Sequence, residues 1–469
     1  IGELMPLILG TNSIKDTGYD VANSLRFDSG SSDNLTRTPS SVGNRKTFTI
    51  SFWVKRCKFG SNNYIMATST DTSEALLVFF NGDKFDIRNL TSGSGALGLT
   101  TNRLFRDPSA WFHIVTAFDT TQSTSSNRVK IYINGSQETS LEVSNYPTQN
   151  EDLNFNSTIV HTISGGSGTS NFLNGYLAEY VLIDGQQLDA TSFGEFDEDS
   201  PTIWKPKDVS GLTFGTNGFY LDFENSGSLG ADVSGNGNNF TVNNLTSIDQ
   251  STDTCTNNFI TMNPLNATLG SVTLSEGNLK ASLNGNYQVF GTINVTSGKW
   301  YWEQKVGSSN LFISVADGNR AAEDTGTGLL NRDYAWAYRS DGVKQHDNTT
   351  ASYGDSFTTN DIIGVALDMD NGFIYFSKNG TFQNSGDPTS GSTGTGAAYS
   401  GLHTDAAAPD GLTPCLGQYS GDQITTWNFG SPPYSISSGN TDGNGFGNFE
   451  YAVPSGYYSL NSKNLAEFG

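Results

Sequence analysis

Short runs in which apolar and polar residues alternate recur along the whole chain. In the run 47–55, Phe48, Ile50, Phe52 and Val54 occupy every second position. Successive side chains of a β-strand point to opposite faces, so this period of two predicts a strand with one buried face. The same pattern predicts further strands in the first half of the chain, at 24–27, 63–67, 75–80, 84–88, 111–119, 128–133, 158–163 and 175–184.

The second half of the chain shows the same alternation. Its clearest predicted strands are at 299–306, 311–316, 334–339, 361–368, 372–377 and 424–429. In each half a strand ends in Asp, an Ile-Tyr strand follows, and Asn-Gly closes the next hairpin, at 134–135 and 379–380. The only helix predicted is a short one at 189–196. We therefore predict an all-β fold of two tandem antiparallel jelly-roll β-sandwiches.

Turn-rich stretches divide the chain into five predicted segments. The stretch between the sandwiches is rich in Gly, Asn and Asp but contains too many aromatic residues for a free linker, so we predict an ordered connector. The apolar residues before Thr11 are a candidate anchor, because a short apolar strip is buried only against a partner or its own fold. The predicted anchor, first sandwich, connector, second sandwich and C-terminal tail are at 1–20, 21–200, 201–263, 264–435 and 436–469.

The net charge of the chain indicates which classes of binding partner to expect. Asp and Glu outnumber Lys and Arg by 47 to 25, which gives a formal net charge of −22. Such a surface repels phosphate backbones and anionic headgroups, so we expect no nucleic-acid partner. No apolar run is long enough to span a bilayer, so we expect no membrane insertion. The three cysteines fit neither a disulfide framework nor a zinc site, which favours folding in a reducing compartment.

Motifs in both halves of the chain resemble known domain families. Four pieces of the first half resemble the laminin-G-like, concanavalin-like jelly roll, at 52–55, 111–115, 129–135 and 174–184. Four pieces of the second half resemble the SPRY (B30.2) domain, at 298–303, 360–368, 374–380 and 426–430. Three joining segments resemble recurring segments of structural or tail-fibre proteins of marine bacteriophages, at 5–12, 253–264 and 445–461. Both domain families are chiefly binding modules, so the resemblance implies adhesion or virion display.

The sequence contains few candidate catalytic residues. Glycoside hydrolases built on similar jelly rolls need two carboxylates facing the scissile bond, and the nearest string, 195–200, follows the predicted helix rather than lying on a strand. His113 alternates with apolar residues inside a strand, which favours a structural role. His346 and His403 are predicted in exposed polar loops. We therefore expect no catalytic residue and a protein that is not an enzyme.

Acidic loops raise the question of calcium. The loop that starts at Asp232 begins like an EF-hand loop, but its twelfth position is Asn243 rather than a bidentate Glu. Related jelly rolls sometimes bind an ion at the sandwich rim, where Asp28, Asp119 and Asp184 are the candidates here. We expect no metal ligands and no cofactor, with structural calcium as the open alternative.

The predicted binding surface lies on polar loops of the second domain. Loops on a rigid sandwich are where recognition usually occurs, and the three longest are 318–332, 345–353 and 383–410. SPRY-like domains recognise partners through such loops. That resemblance assigns ligand binding to Asn319, Arg320, Arg332, Tyr353 and His403.

The expected function is that of a phage virion structural protein, a tail fibre or capsid-surface appendage that displays binding domains on the virion surface. Its expected partners are other virion proteins and a host-surface glycan or protein. Fibres are usually symmetric, so a homo-oligomer is expected, with a trimer as first choice. The alternatives are a secreted or cell-surface bacterial lectin or adhesin and a laminarinase-like glycoside hydrolase.

Overall fold

The chain folds into two compact units. The computed structural model describes residues 18–71, 74–91, 94–166, 170–267, 272–284, 287–322, 328–417 and 422–469, so the expected N-terminal anchor before Thr11 lies outside the described residues. One unit spans Thr17–Thr256, and the other contains Asn257–Gly469. The division falls inside the stretch 201–263 that was expected to be a separate connector.

The first unit consists of two packed antiparallel sheets. Sheet A has the strand order β10-β9-β8-β3-β13-β1-β18, with β16 also paired to β13, and sheet B has the order β11-β7-β6-β5-β4-β12-β2-β17. A small pair, β14 and β15, lies beside them. The strands are β1 (Ser24–Phe27), β2 (Asn34–Arg37), β3 (Thr47–Arg56), β4 (Asn63–Asp71), β5 (Glu74–Asn81), β6 (Lys84–Thr91), β7 (Ser94–Leu104), β8 (Trp111–Asp119), β9 (Val129–Ile133), β10 (Ser136–Gln137), β11 (Leu141–Asn145), β12 (Val160–Ile163), β13 (Gly175–Asp184), β14 (Gly194–Phe196), β15 (Trp204–Pro206), β16 (Phe219–Leu221), β17 (Thr241–Asn243) and β18 (Gln250–Ser251).

Both faces of the central strand β3 are buried. Phe48, Ile50, Phe52 and Val54 point into the core between the sheets, as the alternation predicts. The opposite face is also buried, because residues from 190 to 220 cover it with a second apolar cluster that includes Trp53, Trp111, Phe193, Trp204 and Phe214. The stretch expected as a connector therefore completes the first unit: it supplies β15–β18 and the layer over sheet A.

The second unit is also a pair of packed sheets. Sheet C has the order β19-β22-β31-β24-β25-β26-β27, and sheet D has the order β20-β21-β32-β23-β28-β29-β30, with β33 paired in parallel to β23. The elements are β19 (Met262–Ala267), β20 (Val272–Ser275), β21 (Lys280–Leu283), β22 (Gln288–Gly291), β23 (Lys299–Val306), β24 (Phe312–Ala316), α1 (Gly318–Ala322), β25 (Ala335–Arg339), β26 (Val343–His346), β27 (Thr349–Ser352), β28 (Ile362–Asp368), β29 (Phe373–Lys378), β30 (Thr381–Phe382), β31 (Thr413–Gly417), β32 (Gln423–Asn428), β33 (Tyr458–Ser459) and α2 (Ser462–Phe468).

Aromatic stripes fill the second core. Trp300, Trp302, Trp336 and Tyr338 belong to one buried cluster between the sheets, where period-two alternation places them. The predicted C-terminal tail is part of this unit rather than a free extension, because β33 pairs with β23. The prediction of two tandem β-sandwiches is confirmed.

Local helix predictions were less accurate. In the predicted helix 189–196, only a single 3-10 turn forms at Ala190–Ser192, where the Asp189 side chain accepts a hydrogen bond from the Thr191 amide. Pairing with β15 then draws Gly194–Phe196 into a strand, so tertiary pairing overrides the local signal. The short helices α1 and α2 were not predicted.

Candidate functional site

Most of the predicted binding residues of the second unit lie around one rim of its sandwich. We call residues 317–322, 328–334, 346–349 and 401–410 the second-unit rim. The segment 401–410 is joined to 317–322 at its C-terminal end, since Arg320 Nη1 donates to Ala407 O at 2.8 Å and Asp410 N donates to Asp317 Oδ2 at 3.3 Å.

Arg320 is the most firmly positioned residue of this rim. Its Nη1 donates to Ala407 O at 2.8 Å, its Nη2 lies 3.4 Å from Asp333 Oδ1, and its guanidinium lies 5.2 Å from the ring centre of Tyr334. Asp317 caps the start of α1 by accepting from the amides of Asn319 and Arg320, and burial raises the pKa of its carboxyl. The side chain of Arg320 is still about one-third exposed, so it can reach a ligand.

The remaining predicted residues differ in their placement. Arg332 is half-buried at the rim, and its carbonyl accepts from Asp347 N at 3.3 Å. His403 is exposed on a 3-10 turn against Gly372. Tyr353, by contrast, is a core residue: its ring packs against Tyr338, and its hydroxyl accepts from the Phe376 amide at 3.3 Å. Tyr353 therefore does not share the rim with the other four.

The expected loop 345–353 is mostly a tight hairpin. β26 ends at His346, β27 begins at Thr349, and the two residues between them have positive φ. The ring of His346 stacks on Trp336 at 4.8 Å between ring centres, and its Nδ1 lies 3.0 Å from Ala335 O. The prediction that His346 is an exposed loop residue is therefore wrong, because strand pairing places it beside Trp336.

The structure also contains a surface that was not predicted, on the outer face of sheet B in the first unit. Side chains from β4, β5 and β6 meet there. The Phe79 ring is contacted edge-on by Tyr64 at 4.9 Å between ring centres, and the Arg88 guanidinium lies 5.3 Å from its centre. Tyr64 also hydrogen-bonds with the side chain of Asn171. We call this group the sheet-B patch.

A buried carboxylate holds the arginine of the sheet-B patch. Arg88 Nε and Nη2 donate to the two oxygens of Asp86 at 3.1 and 2.8 Å, and this pairing raises the pKa of the guanidinium. Asn81 and Thr100 donate to the same carboxylate at 3.1 Å each. Asp86 is fully buried while the Arg88 side chain is 43% exposed, so the charge that faces solvent is that of a fixed guanidinium.

The carboxylates considered for calcium are occupied by the protein's own donors. Asp184 accepts from the amides of Asn44 and Asn217 and from the Asn156 side chain, at 2.8, 2.9 and 3.0 Å. Asp232 accepts from three backbone amides of its own region. The Arg37 guanidinium interacts electrostatically with both carboxylates, so a cation already faces them. Among the described residues, no group of three or more His, Cys, Asp or Glu side chains is arranged to hold a metal ion.

The residues weighed for catalysis have structural partners. His113 Nδ1 accepts from Trp204 Nε1 at 2.9 Å, and Nε2 lies 2.9 Å from Ser51 Oγ. Burial lowers the pKa of His113 to about 3, so the ring is neutral. Of the acidic string 195–200, Asp197 lies 3.3 Å and Glu195 3.8 Å from Lys205 Nζ. In the described part of the chain, no helix is long and apolar enough to cross a membrane.

Comparison with known families agrees with this architecture. Residues 28–189 match the family described as the concanavalin A-like lectin/glucanases superfamily, and residues 299–431 match the SPRY domain. The first match lies in the first unit and the second match in the second unit. The tandem of a concanavalin-like domain and a SPRY domain is therefore confirmed.

Similarity to individual proteins is confined to part of the chain. The chain is 32% identical to the probable ATP-dependent RNA helicase ddx1 of Dictyostelium discoideum over 89 residues. These residues make up 19% of this chain and 11% of that protein. It is 34% identical to ATP-dependent RNA helicase DDX1 of Xenopus laevis, over 19% of this chain and 12% of that protein. The chain thus spans about a tenth of the length of these curated relatives.

Solved structures are similar over about a third of the chain. The SPRY domain of human HERC1 has a TM-score of 0.27 at 21% identity, over 35% of this chain and 96% of that one. The stonustoxin structure has a TM-score of 0.28 at 18% identity, over 36% of this chain and 27% of that one. The TRIM65 PSpry domain has a TM-score of 0.27 at 15% identity, over 36% of this chain and 91% of that one.

Proposed function

We propose that this protein is a non-catalytic binding protein whose first unit binds carbohydrate at the sheet-B patch. The observation that carries the proposal is the fixed, exposed guanidinium of Arg88 beside the half-buried ring of Tyr64, with both side chains packed over the buried ring of Phe79. Aromatic rings pack against the apolar faces of sugars, and guanidinium groups donate paired hydrogen bonds to hydroxyls and carboxylates. Because Asp86 already holds Arg88, little side-chain entropy is lost on binding.

We further propose that the chain displays this activity on a phage particle, as a tail fibre or capsid-surface appendage in a symmetric homo-oligomer. The resemblance of segments 5–12, 253–264 and 445–461 to marine bacteriophage structural proteins supports this setting. The two domain families also support it, since both are chiefly binding modules that suit a display protein. The ligand in this setting is a host-surface glycan, and the partners are other virion proteins.

A glycan array probed with the whole chain tests the binding proposal. Arg88→Ala should lower the affinity for a bound glycan by about tenfold or more, because it removes a charge-assisted pair of donors. Arg103→Ala is the matched control: it removes another exposed arginine of the same sheet, one that pairs with Glu138 at 2.8 Å. Equal affinity of wild type and Arg88→Ala would overturn the proposed site, and sugar release from the array would favour the hydrolase alternative.

The virion setting needs a separate measurement. Purified phage particles probed with an antibody against the chain should carry it on their surface. If the chain is found instead on bacterial cells without particles, the lectin or adhesin alternative replaces the virion setting, and the glycan proposal is unaffected.

Protein recognition by the second-unit rim is a second candidate function. It is favoured by the placement of Arg320, which Ala407 O and Asp333 hold while part of its side chain stays exposed. Arg320→Ala should weaken binding to host cells at least about fivefold while leaving glycan binding unchanged. The opposite result, normal cell binding by this variant, would remove the rim as a recognition surface.

A further inference from the structure

A buried glutamate lies at an irregular point of β13 in the first unit. Between Ala178 and Val181 the register against β3 shifts, so that two residues of β13 oppose one residue of β3. Glu179 is one of the two, and it has a φ of 50°. This left-handed conformation is unfavourable for a residue with a side chain, and it persists only where the surroundings fix it. The side chain is directed away from the core of Tyr180 and towards the layer that covers sheet A.

The Glu179 carboxylate is held by tyrosine hydroxyls rather than by a cation. Oε2 accepts from Tyr220 at 2.6 Å and from Tyr19 at 3.2 Å, and the two hydroxyls lie 3.1 Å apart. Glu179 is only 6% exposed, and no Lys, Arg or His of the described residues lies within ion-pair distance. The irregular segment around Tyr19 and the strand β16 therefore both meet β13 at one carboxyl group that has no cation beside it among the described residues.

Other titratable groups around this carboxyl add negative charge or none. Burial raises the pKa of Glu179 to about 7, the two tyrosine hydrogen bonds oppose the rise, and Asp222 and Glu224 add to it. The thiol of the partly buried Cys255 interacts with Glu179, and desolvation raises the pKa of this thiol as well, so the thiol is neutral. Further acidic groups act electrostatically on the residues beside Glu179. Asp208 acts on Tyr19, and Asp20 and Asp253 act on Cys255.

We propose that Glu179, Tyr19 and Tyr220 form a proton-operated latch that fastens the start of the first unit and β16 to β13 while Glu179 is protonated, and loosens them when it ionises. Ionisation places a charge in an apolar layer without a cation and beside other acidic groups. The folded state therefore binds this proton more tightly than the unfolded chain does. Stability of the latched segments is then highest at acidic pH and falls as pH rises from about 4.5, the ordinary value, to about 7.

Hydrogen exchange followed by mass spectrometry tests the latch in the whole chain. Peptides covering 18–22 and 219–223 should lose protection between pH 5 and pH 8, after correction for intrinsic exchange, by a factor on the order of tenfold to a hundredfold. A peptide covering β9 is the internal control, and its protection should change by less than about threefold. An equal loss in β9 would indicate general unfolding and would overturn the latch.

Variants separate the titration from the contacts. Glu179→Gln keeps the shape and removes the titration, so its protection should stay nearly constant over this pH range. Glu179→Gly is the second variant, because glycine adopts positive φ freely and should fold even if glutamine does not. Tyr19→Phe keeps the carboxyl and should retain the pH response at 219–223. A wild-type pH response that persists in both Glu179 variants would overturn the proposal.

Discussion

Each unit closes one face of its sandwich with chain that comes later in the sequence, and each fastens that chain with a buried carboxylate. In the first unit, Asp253 Oδ2 accepts from Lys55 Nζ at 2.7 Å on β3, and Oδ1 accepts from Trp111 Nε1 at 3.1 Å on β8. In the second unit, Glu303 on β23 accepts from the amides of Glu450 and Tyr451 at 2.9 and 2.7 Å. The first fastening is therefore ionic, whereas the second uses neutral donors.

This difference shows two ways of burying a negative charge. Lys55 and Asp253 are 0% and 2% exposed, so this ion pair is buried. Glu303 has no such counter-charge among the residues that the structure describes. Its carboxylate accepts hydrogen bonds from two backbone amides, Asn428 Nδ2 and the Tyr301 hydroxyl. Removing one partner of the ion pair should therefore cause a large loss of stability. Removing donors to Glu303 one at a time should cause smaller losses that grow with the number of donors removed.

The largest effect is expected from removing half of the ionic pair. Lys55→Met should lower the free energy of unfolding of the first unit by about 3–5 kcal/mol, because it removes the ammonium group that pairs with the buried Asp253 carboxylate. Denaturant unfolding measures the change. The double variant Lys55→Met with Asp253→Leu should recover a large part of the loss, and a double variant as unstable as the single one would contradict the ionic interpretation.

A smaller effect is expected for the second unit. Glu303→Gln should lower the free energy of unfolding of the second unit by about 1–3 kcal/mol, because the amide nitrogen of glutamine cannot accept a hydrogen bond from a backbone amide. Limited proteolysis should also show faster cleavage between 438 and 451, since this is the segment that Glu303 holds. Asp341→Asn, a change at an exposed acidic residue, is the control and should change neither measurement.

The fastening at Glu303 also predicts a pH dependence of stability. Burial raises the pKa of Glu303, although its hydrogen bonds oppose the rise. The protonated form is therefore favoured by folding, and the contribution of this group to stability falls as pH rises above about 4.5, its ordinary value. The melting temperature of wild type should decline more steeply above that pH than that of Glu303→Gln, measured by calorimetry. Parallel pH profiles would contradict the assignment.

The smallest effect is expected from a single neutral donor. Tyr301→Phe removes only the hydroxyl that donates to Glu303 at 3.3 Å, so the unfolding free energy should fall by about 0.5–1.5 kcal/mol. Denaturant unfolding again measures it. A loss as large as that of Glu303→Gln would show that the donors do not act independently.

Sequence patterns predicted the parts of the fold that depend on local alternation. The inward residues of β3 were correctly placed, because period two fixes the buried face of a strand. The partners of Asp253 and Glu303 were not predictable, since they lie 198 and 147 positions away and meet only when later chain folds back. Nothing local marks which strand receives that chain.

The candidate binding surfaces were predicted only in part, for reasons that individual residues show. The sheet-B patch carried a signal that was overlooked: Asp86 and Arg88 stand two apart in a predicted strand, which places them on one face. Tyr353 was misplaced because a polar stretch hides a tight hairpin at 347–348, and the tyrosine that follows it returns to the core.

The layer over sheet A determines where the chain can be cut. A fragment ending at residue 200 would lack Trp204, Phe214 and Asp253, and would expose Trp53 and Lys55 of β3 and Trp111 of β8 to water. Such a fragment should aggregate or remain unfolded when expressed alone. Extending it to Thr256 restores the missing cover, so we expect an independently folding piece of this protein to end at Thr256 and not at residue 189, where the family match ends.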